Sequence, residues 1–550
     1  MTVAVDEQAA PSAPARVVGA DPAEVWSRRV FLAAVVVALP ILLWVGRNQW
    51  FFFDEWWLLA RDGLLSPGYL DGHNGHWITV LVVEYRLTFQ LWGLDSYVPY
   101  QVPVVLAHLG SAVLLRALMV RAGVRGWIAT AAALVFVFFG SGRDNITYGF
   151  QLSLTGSLLA GLGVLLLSDR PGPVGRRDWA ALGLGVIGLM TSSVFVAIAV
   201  GVVVAVLLRR GARVAAFYAV PLAVISGGWY LRYGGDEREP MQLTGATVRF
   251  GIRMIGSTFW SLAHTGAGGV LLAAIALLGL AAAVRSTLRR DGPDDRRGAL
   301  VVGLMLAWAV FGGLTALARA NWPLTAEQYD ASRYLHVGAA LLLPLVALGA
   351  EHLARRSAPL GALALLVLAT GVPGNLDRLG RTDPIFLSNP ELFGPGSREV
   401  LEAMAHSELI DDVPADRVPV NGAFEPLPLT AGWMRRNAGA GRIPDPGDVD
   451  PRVALTATNY LVLAQEGAEG GATGCPALAA PRRLVLDAGD RIGFEGTVLV
   501  TVTEGGERSR PRELRSARGS SVRAIVGPVA VEVRAAEGAV PRVCEPTDGT

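Results

Sequence analysis

About eleven apolar runs, nearly free of charged residues, recur through the first two thirds of this 550-residue chain. They lie at about 30–45, 98–119, 126–141, 151–167, 179–190, 194–208, 214–232, 267–284, 299–318, 335–350 and 359–372. Crossing a bilayer takes roughly 20 predominantly apolar residues, so the runs predict a polytopic α-helical membrane protein with about eleven transmembrane helices. The two runs within 179–208 share about 30 residues, which predicts short or steeply packed helices. With 52% hydrophobic and 17% charged residues, an ordinary soluble enzyme is excluded. A formal net charge of +1 removes the electrostatic case for a nucleic-acid partner.

Arginine supplies every basic side chain, because the sequence contains no lysine. Its clusters mark alternate loops: Arg28/Arg29, Arg116/Arg121/Arg125, Arg170/Arg176/Arg177, Arg209/Arg210/Arg213, Arg285/Arg289/Arg290/Arg296/Arg297 and Arg355/Arg356. The positive-inside rule places these loops in the cytoplasm. The N-terminus, residues 1–28, is then a disordered cytoplasmic segment leading into a retained anchor, since no small-residue cleavage site follows the first run. The transmembrane domain covers 29–375. Its complementary loops, at about 47–97, 142–150, 233–266 and 319–334, face outward from the plasma (inner) membrane. The stretch Trp77 to Trp92 is apolar but carries Glu84 and Arg86 in its middle, and reads as an interfacial or juxtamembrane helix.

From Asp377 onward no long apolar run appears and Pro, Gly, Asp and Glu are frequent. A mixed linker region is expected over 376–450, with a short helical pattern at Arg398 to Leu409. A β-rich extracytoplasmic domain, sandwich-like, is expected over 451–550, with strands at Arg483–Leu486, Thr497–Thr503, Ser521–Val526 and Val529–Arg534. The two cysteines, Cys475 and Cys544, bracket that stretch. Outside the cytoplasm a disulfide between them is the natural reading; two buried free thiols are the alternative.

The first outward loop reads Phe51-Phe52-Phe53-Asp54-Glu55-Trp56-Trp57 and later His73-Asn74-Gly75-His76-Trp77. Two carboxylates this close to the apolar zone are costly unless they face a polar cavity, so they point to function; acids simply facing water are the plainer reading. Trp50, Trp56, Trp57 and Trp77 serve equally as interfacial belt residues.

This part of the chain resembles the GT-C class of membrane glycosyltransferases, notably the protein O-mannosyltransferase and aminoarabinose transferase group. That group follows its first span with an acidic Asp-Glu motif, a His-containing motif, a juxtamembrane helix, an aromatic loop and a second span ending at cytoplasmic Arg. The corresponding pieces here are Asp54-Glu55, His73-Asn74-Gly75-His76, Trp77 to Trp92, Gly93 to Gln101 and Val102 to Arg121. The group's usual His-Pro-Pro with a following Lys is replaced by His-Asn-Gly-His-Trp. The resemblance covers about residues 30 to 170. It implies transfer of a sugar from a polyprenyl-phosphate carrier to an envelope glycan, lipid or protein acceptor on the outer face, with Asp54 as general base and Glu55 as a positioning or second acidic residue. A single base with direct attack would invert the anomeric centre. A non-catalytic lipid-linked glycan transporter, or an envelope glycan-binding membrane protein, is the competing class.

Displacing a lipid phosphate also needs positive charge for the leaving group. Arg333, in Tyr329-Asp330-Ala331-Ser332-Arg333-Tyr334, suits bidentate phosphate binding; anchoring at the interface or pairing with Asp330 is its alternative. An Arg-Tyr pair entering a late helix is also associated with the GT-C class, so Tyr334 joins the substrate-binding set with His73, His76 and Trp77. Arg143, Asp144 and Gln151 form a short polar loop that can roof a cavity, with Asp144 on sugar hydroxyls or a metal, or else a simple turn capped by Asn145. Trp322 offers a stacking face for sugar or a belt residue. The sequence specifies no cofactor: His73 and His76 suit hydrogen bonding to carrier phosphate or acceptor, and with Asp54 or Asp144 they make a divalent metal the alternative. The glycines are scattered along the apolar runs, with no Gly-x-Gly-x-x-Gly between a strand and a helix and no Walker motif, which disfavours direct use of nucleotide sugars.

Overall fold

The computed structural model of the chain describes residues 21–61, 63–234, 241–288, 297–322, 325–381, 395–419, 428–467 and 475–547. The expected N-terminal tail up to residue 20, the loop arginines Arg289, Arg290 and Arg296, and parts of the expected linker lie outside them. The helices run in the order α1 (Pro22–Val45), α2 (Asp54–Ala60), α3 (Thr79–Trp92), α4 (Val98–Arg121), α5 (Gly126–Val137), α6 (Asp144–Thr147), α7 (Leu152–Ser168) and α8 (Arg176–Thr191). They continue with α9 (Phe195–Arg210), α10 (Ala212–Tyr233), α11 (Gly245–Ala263), α12 (Gly266–Leu288), α13 (Gly298–Arg319), α14 (Ser332–Arg356), α15 (Ala358–Ala369) and α16 (Val372–Gly380).

All eleven apolar runs are helical. Among the described residues, eight helices are long and apolar enough to cross a membrane, and α5, α8 and α9, at 12, 16 and 16 residues, are the shorter ones. The molecule is therefore a polytopic α-helical membrane protein. At its centre is α14, the most buried of the eight. Close packing there depends on missing side chains. A Cβ on Gly279 of α12 would sit 2.0 Å from Leu345 O of α14, and one on Gly349 would sit 2.0 Å from Ile275 O. Small residues let membrane helices approach to backbone contact, which replaces the hydrophobic drive that lipid cannot supply.

The arginine clusters meet at one end of the bundle, paired across loops that are far apart in sequence. Arg116 binds Glu24 at 3.0 Å, and Arg125 and Arg355 share Glu351 at 3.0 and 2.7 Å. Asp169 takes Arg121 and Arg209, while Asp178 takes Arg170 and Arg210. Seven of the cluster arginines are thus held by four buried or half-buried acids.

The opposite end carries the remaining loops. The loop at 233–266 is largely helix: α11 buries Thr247, Phe250, Met254 and Thr258 and exposes Val248, Ile252 and Ile255, the i, i+3, i+4 pattern of an amphipathic helix. It touches the loop after α13 through Thr244 with Asn321 at 2.8 Å and Arg253 with Glu327 at 3.0 Å. The apolar stretch beginning at Trp77 forms α3. Its buried Arg86 donates to the carbonyls of Arg61, Ser66 and Pro67 at 2.6 to 2.8 Å, which explains an arginine inside an apolar helix.

The C-terminal part is a sheet domain. Strands β1 (Leu463–Glu466), β2 (Arg482–Leu486), β3 (Arg491–Glu504), β4 (Glu507–Arg508), β5 (Arg512–Ala524), β6 (Val529–Ala535) and β7 (Arg542–Val543) form one antiparallel sheet of order β1-β5-β3-β6-β2, with β4 and β7 on β3. Ile492, Phe494, Val498, Val500 and Val502 of β3 are buried. Among the described residues no second sheet faces them, so the domain is a single sheet covered by helices where a sandwich is expected from the sequence. Helices Pro395–Ala405, Ala431–Gly439 and Pro451–Val462 contribute to the same apolar core, and Asn459 of the last donates to Val500 O at 3.0 Å. Within the segment read from sequence as a linker, Leu401, Met404, Trp433 and Met434 are buried in this same apolar core, and helix Pro395–Ala405 packs on helix Pro451–Val462, which in turn lies on β3.

Cys475 and Cys544 are bonded, 69 residues apart, and fasten the chain before β2 to the chain after β7. Closing a loop of that size removes unfolded-state entropy worth about 4 kcal/mol. Replacing both cysteines by serine is expected to lower the domain's melting temperature by several degrees. An unchanged transition would show that the hydrogen bonds Leu478 to Pro541 and Val543 to Pro476 hold this edge alone.

Candidate functional site

Asp54 opens α2, and the chain enters that helix through Phe53 at φ 40°. A non-glycine residue in the left-handed region is uncommon, and here it turns Asp54 away from the aromatic run before it. His73 meets it: Nε2 lies 2.6 Å from Asp54 Oδ1, and Asn74 Nδ2 donates to the same oxygen at 3.1 Å. His73 and His76 exchange both backbone hydrogen bonds around Asn74 and Gly75, whose φ values are 50° and 70°. Two positive φ values in a two-residue loop are what Asn-Gly supplies without strain. The His-Asn-Gly-His segment is therefore a tight hairpin that presents His73 to Asp54. Asp54 remains one-fifth exposed, and its Oδ2 takes no hydrogen bond among the described residues.

Glu55 turns the other way. It is fully buried, and it accepts from Tyr85 OH, from Tyr97 OH at 2.7 Å and from Phe52 N at 2.7 Å. Burial raises its carboxyl to about 8, against those hydrogen bonds. Its place is beneath α2. The unfolded-chain value is near 4.5, so the folded protein holds a proton there that the unfolded chain releases. Stability is then lost as pH rises from about 4.5 through 8 and levels off above. Melting of detergent-solubilised protein between pH 5 and 9 is expected to show that slope, and Glu55→Gln to reduce it, leaving the part due to Glu84, which burial also raises to about 8. An identical slope in the variant would assign the pH dependence elsewhere.

The turn between α5 and α7 covers this corner. Tyr148 OH donates to Phe52 O at 2.9 Å, and the Phe150 ring lies 5.8 Å from that of His73. The turn also clips the start of α14: Asp144 N donates to Ser332 Oγ at 3.1 Å and Asn145 Nδ2 to Arg333 O at 3.2 Å. Arg333 Nη2 donates to Gln328 Oε1 at 2.8 Å, its guanidinium lies 4.9 Å from the Tyr334 ring centre, and it interacts electrostatically with Asp144 and Asp54. No ion pair with Asp330 forms among the described residues. Burial pushes the Asp144 carboxyl up, opposed by Arg333 and Arg143. Gln151 is buried next to Phe150.

Asp54, His73, Asp144 and Arg333 thus gather at one end of the bundle, from three segments separated by up to about 280 residues of sequence. Other candidates sit elsewhere. Trp77 stacks flat on Trp229 of α10 at 5.4 Å and donates to Thr79 Oγ1 at 2.7 Å; it fastens the loop to the bundle. His76 contributes the backbone of the hairpin. Trp322 is 39% exposed beside Arg319 at the end of α13, and no contact joins it to Asp54. Among the described residues no group of three or more His, Cys, Asp or Glu side chains is arranged to hold a metal ion. Tyr85 and Tyr97 are the contributors that reading by residue type passes over; Asn74 is marked in the sequence by the Asn-Gly hairpin signal.

Fold and site together define a multi-pass membrane protein with a carboxylate, imidazole and guanidinium site at one end of its bundle. No family model matches the chain, and no curated protein matches it. Among solved structures, it is similar in outline to the crystal structure of ArnT from Cupriavidus metallidurans bound to undecaprenyl phosphate, with 13% identity, a TM-score of 0.45, and 92% of this chain and 100% of that chain covered. A likeness of that size assigns no chemistry to individual residues.

Proposed function

We propose that this protein is a GT-C-type membrane glycosyltransferase that moves a sugar from a polyprenyl-phosphate donor to a hydroxyl of an envelope glycan, lipid or protein. The observation that carries this reading is the pairing of Asp54 with His73 at 2.6 Å, which leaves Oδ2 open within electrostatic reach of Arg333. In the reaction the acceptor oxygen attacks the anomeric carbon while Asp54 Oδ2 takes its proton. The bond from that carbon to the phosphate oxygen breaks, its electron pair stays on the phosphate, and Arg333 meets the charge. His73 and Asn74 fix the carboxylate through Oδ1. Direct displacement inverts the anomeric centre. Asp144, beside Arg333, is placed to orient the guanidinium or to bind sugar hydroxyls.

The arginine-rich end is the cytoplasmic one by the positive-inside rule, which puts Asp54 and the C-terminal domain outside the inner membrane. The test is transfer by purified protein offered a panel of labelled polyprenyl-phosphate sugars. Turnover of at least one donor, with inverted product, is expected. Binding of donors with no turnover by any of them would favour a lipid-linked glycan transporter and overturn the enzyme.

A further inference from the structure

We infer that the C-terminal domain positions the helix that bears Asp54, and that Trp433 is the residue through which it does so. As a statement about catalysis this rests on the function proposed above; as a statement about structure it stands alone. Helix α2 has only seven residues. Isolated helices shorter than about 12 to 15 residues are marginal in water, so α2 exists because its two ends are held. Its first turn is held from below by Glu55 in the pocket of Tyr85, Tyr97 and Phe52.

The last turn is held from outside. Carbonyls at a helix C-terminus lack intrahelical donors. That of Leu59 receives the indole N–H of Trp433 at 3.2 Å, a bond buried between two segments 374 residues apart. Trp433 is 2% exposed and stacks on Phe89 of α3, with centroids 5.5 Å apart and planes 12° from parallel. Two further contacts fix this orientation. Arg442 Nη2 donates to Gln90 Oε1, and Arg442 O accepts from Leu94 N at 2.7 Å. At Gly93 the backbone has φ 55°, and a Cβ would stand 2.3 Å from Arg442 O; a side chain there would force the domain away. The same apolar core contains Phe51, Leu58 and Leu59 from the loop and Val498 and Val500 from the sheet. A domain tethered only to collect acceptor would have no reason to cap α2.

The experiment is hydrogen exchange by mass spectrometry on the full chain in detergent, for wild type, Trp433→Phe, Trp433→Ala and Arg442→Gln, alongside transfer kinetics. Trp433→Phe keeps the stack and removes only the donor to Leu59, so it is expected to fold. Amides of 55–61 should exchange about tenfold faster in it while peptides of α4 and α14 stay protected. Misplacement of a reacting group by about 1 Å can cost about a hundredfold, so kcat should fall at least tenfold with the donor KM unchanged. Arg442→Gln should show the same signature more weakly. Unchanged exchange over 55–61 in Trp433→Phe overturns the inference, whatever the rate of transfer. Absence of transfer in wild type would count against the proposed function alone, because the exchange result is read independently of it.

Discussion

Asp54→Asn is expected to lower kcat for sugar transfer by about a thousandfold, with membrane insertion and melting temperature nearly unchanged. The amide retains the shape of the side chain and an oxygen acceptor for Asn74, but it cannot take a proton from the attacking hydroxyl. Loss of a general base of this kind costs about 10² to 10⁴ in rate. The effect on stability should stay within about 1 kcal/mol, the size of a charge interaction with a helix N-terminus. His73→Ala leaves the carboxylate in place but releases Oδ1, so a smaller loss is expected, borne by kcat. Product formation from a labelled donor is the measurement, with circular dichroism as the control for folding. Full transfer by Asp54→Asn would remove it as the base and send the search to Asp144.

Arg333→Leu is expected to reduce transfer by about 10² to 10³, the cost of losing one group that stabilises developing negative charge. Lysine should restore only part of it, since a point charge does not reproduce the planar fork that binds two phosphate oxygens. The bond from Asn145 goes to the main chain of Arg333, so the start of α14 should survive either change. Binding of the polyprenyl phosphate itself distinguishes the roles. A leaving-group site predicts weaker binding of the phosphate product in both variants. Unaltered binding and rate would make Arg333 an interfacial anchor held by Gln328 and Tyr334.

Much of the site's frame was legible in the sequence, and the reasons can be traced residue by residue. The apolar runs predict the bundle because hydropathy acts over one helix at a time. The Asp54 and His73 segments stand out because a charged group beside an apolar zone demands an explanation. The two cysteines required only a compartment and a pair. By contrast, Glu55 follows Asp54 directly and the two appear alike in sequence, yet one faces the site and the other is buried under three donors. A helix sends adjacent side chains about 100° apart, so which acid faces outward depends on what packs against α2. Trp77 is likewise indistinguishable from a belt residue until Trp229, 152 residues later, stacks on it. The region 376–450 reads as a linker because its apolar residues are sparse; Leu401, Met404 and Trp433 become core only when helix Pro451–Val462 and α3 supply opposing faces.

The sequence by itself determined the membrane class, the helical runs, the grouping of arginines in alternate loops and the acidic and histidine segments of the first outward loop. All of these depend on composition or on neighbours within a few residues. Only the tertiary structure decided that Asp54 pairs with His73 near Arg333, that Glu55 is buried, and that Trp433 caps the helix bearing Asp54. Those contacts join segments from about 20 to more than 370 residues apart, and their energies come from burial and hydrogen-bond geometry that no local pattern encodes.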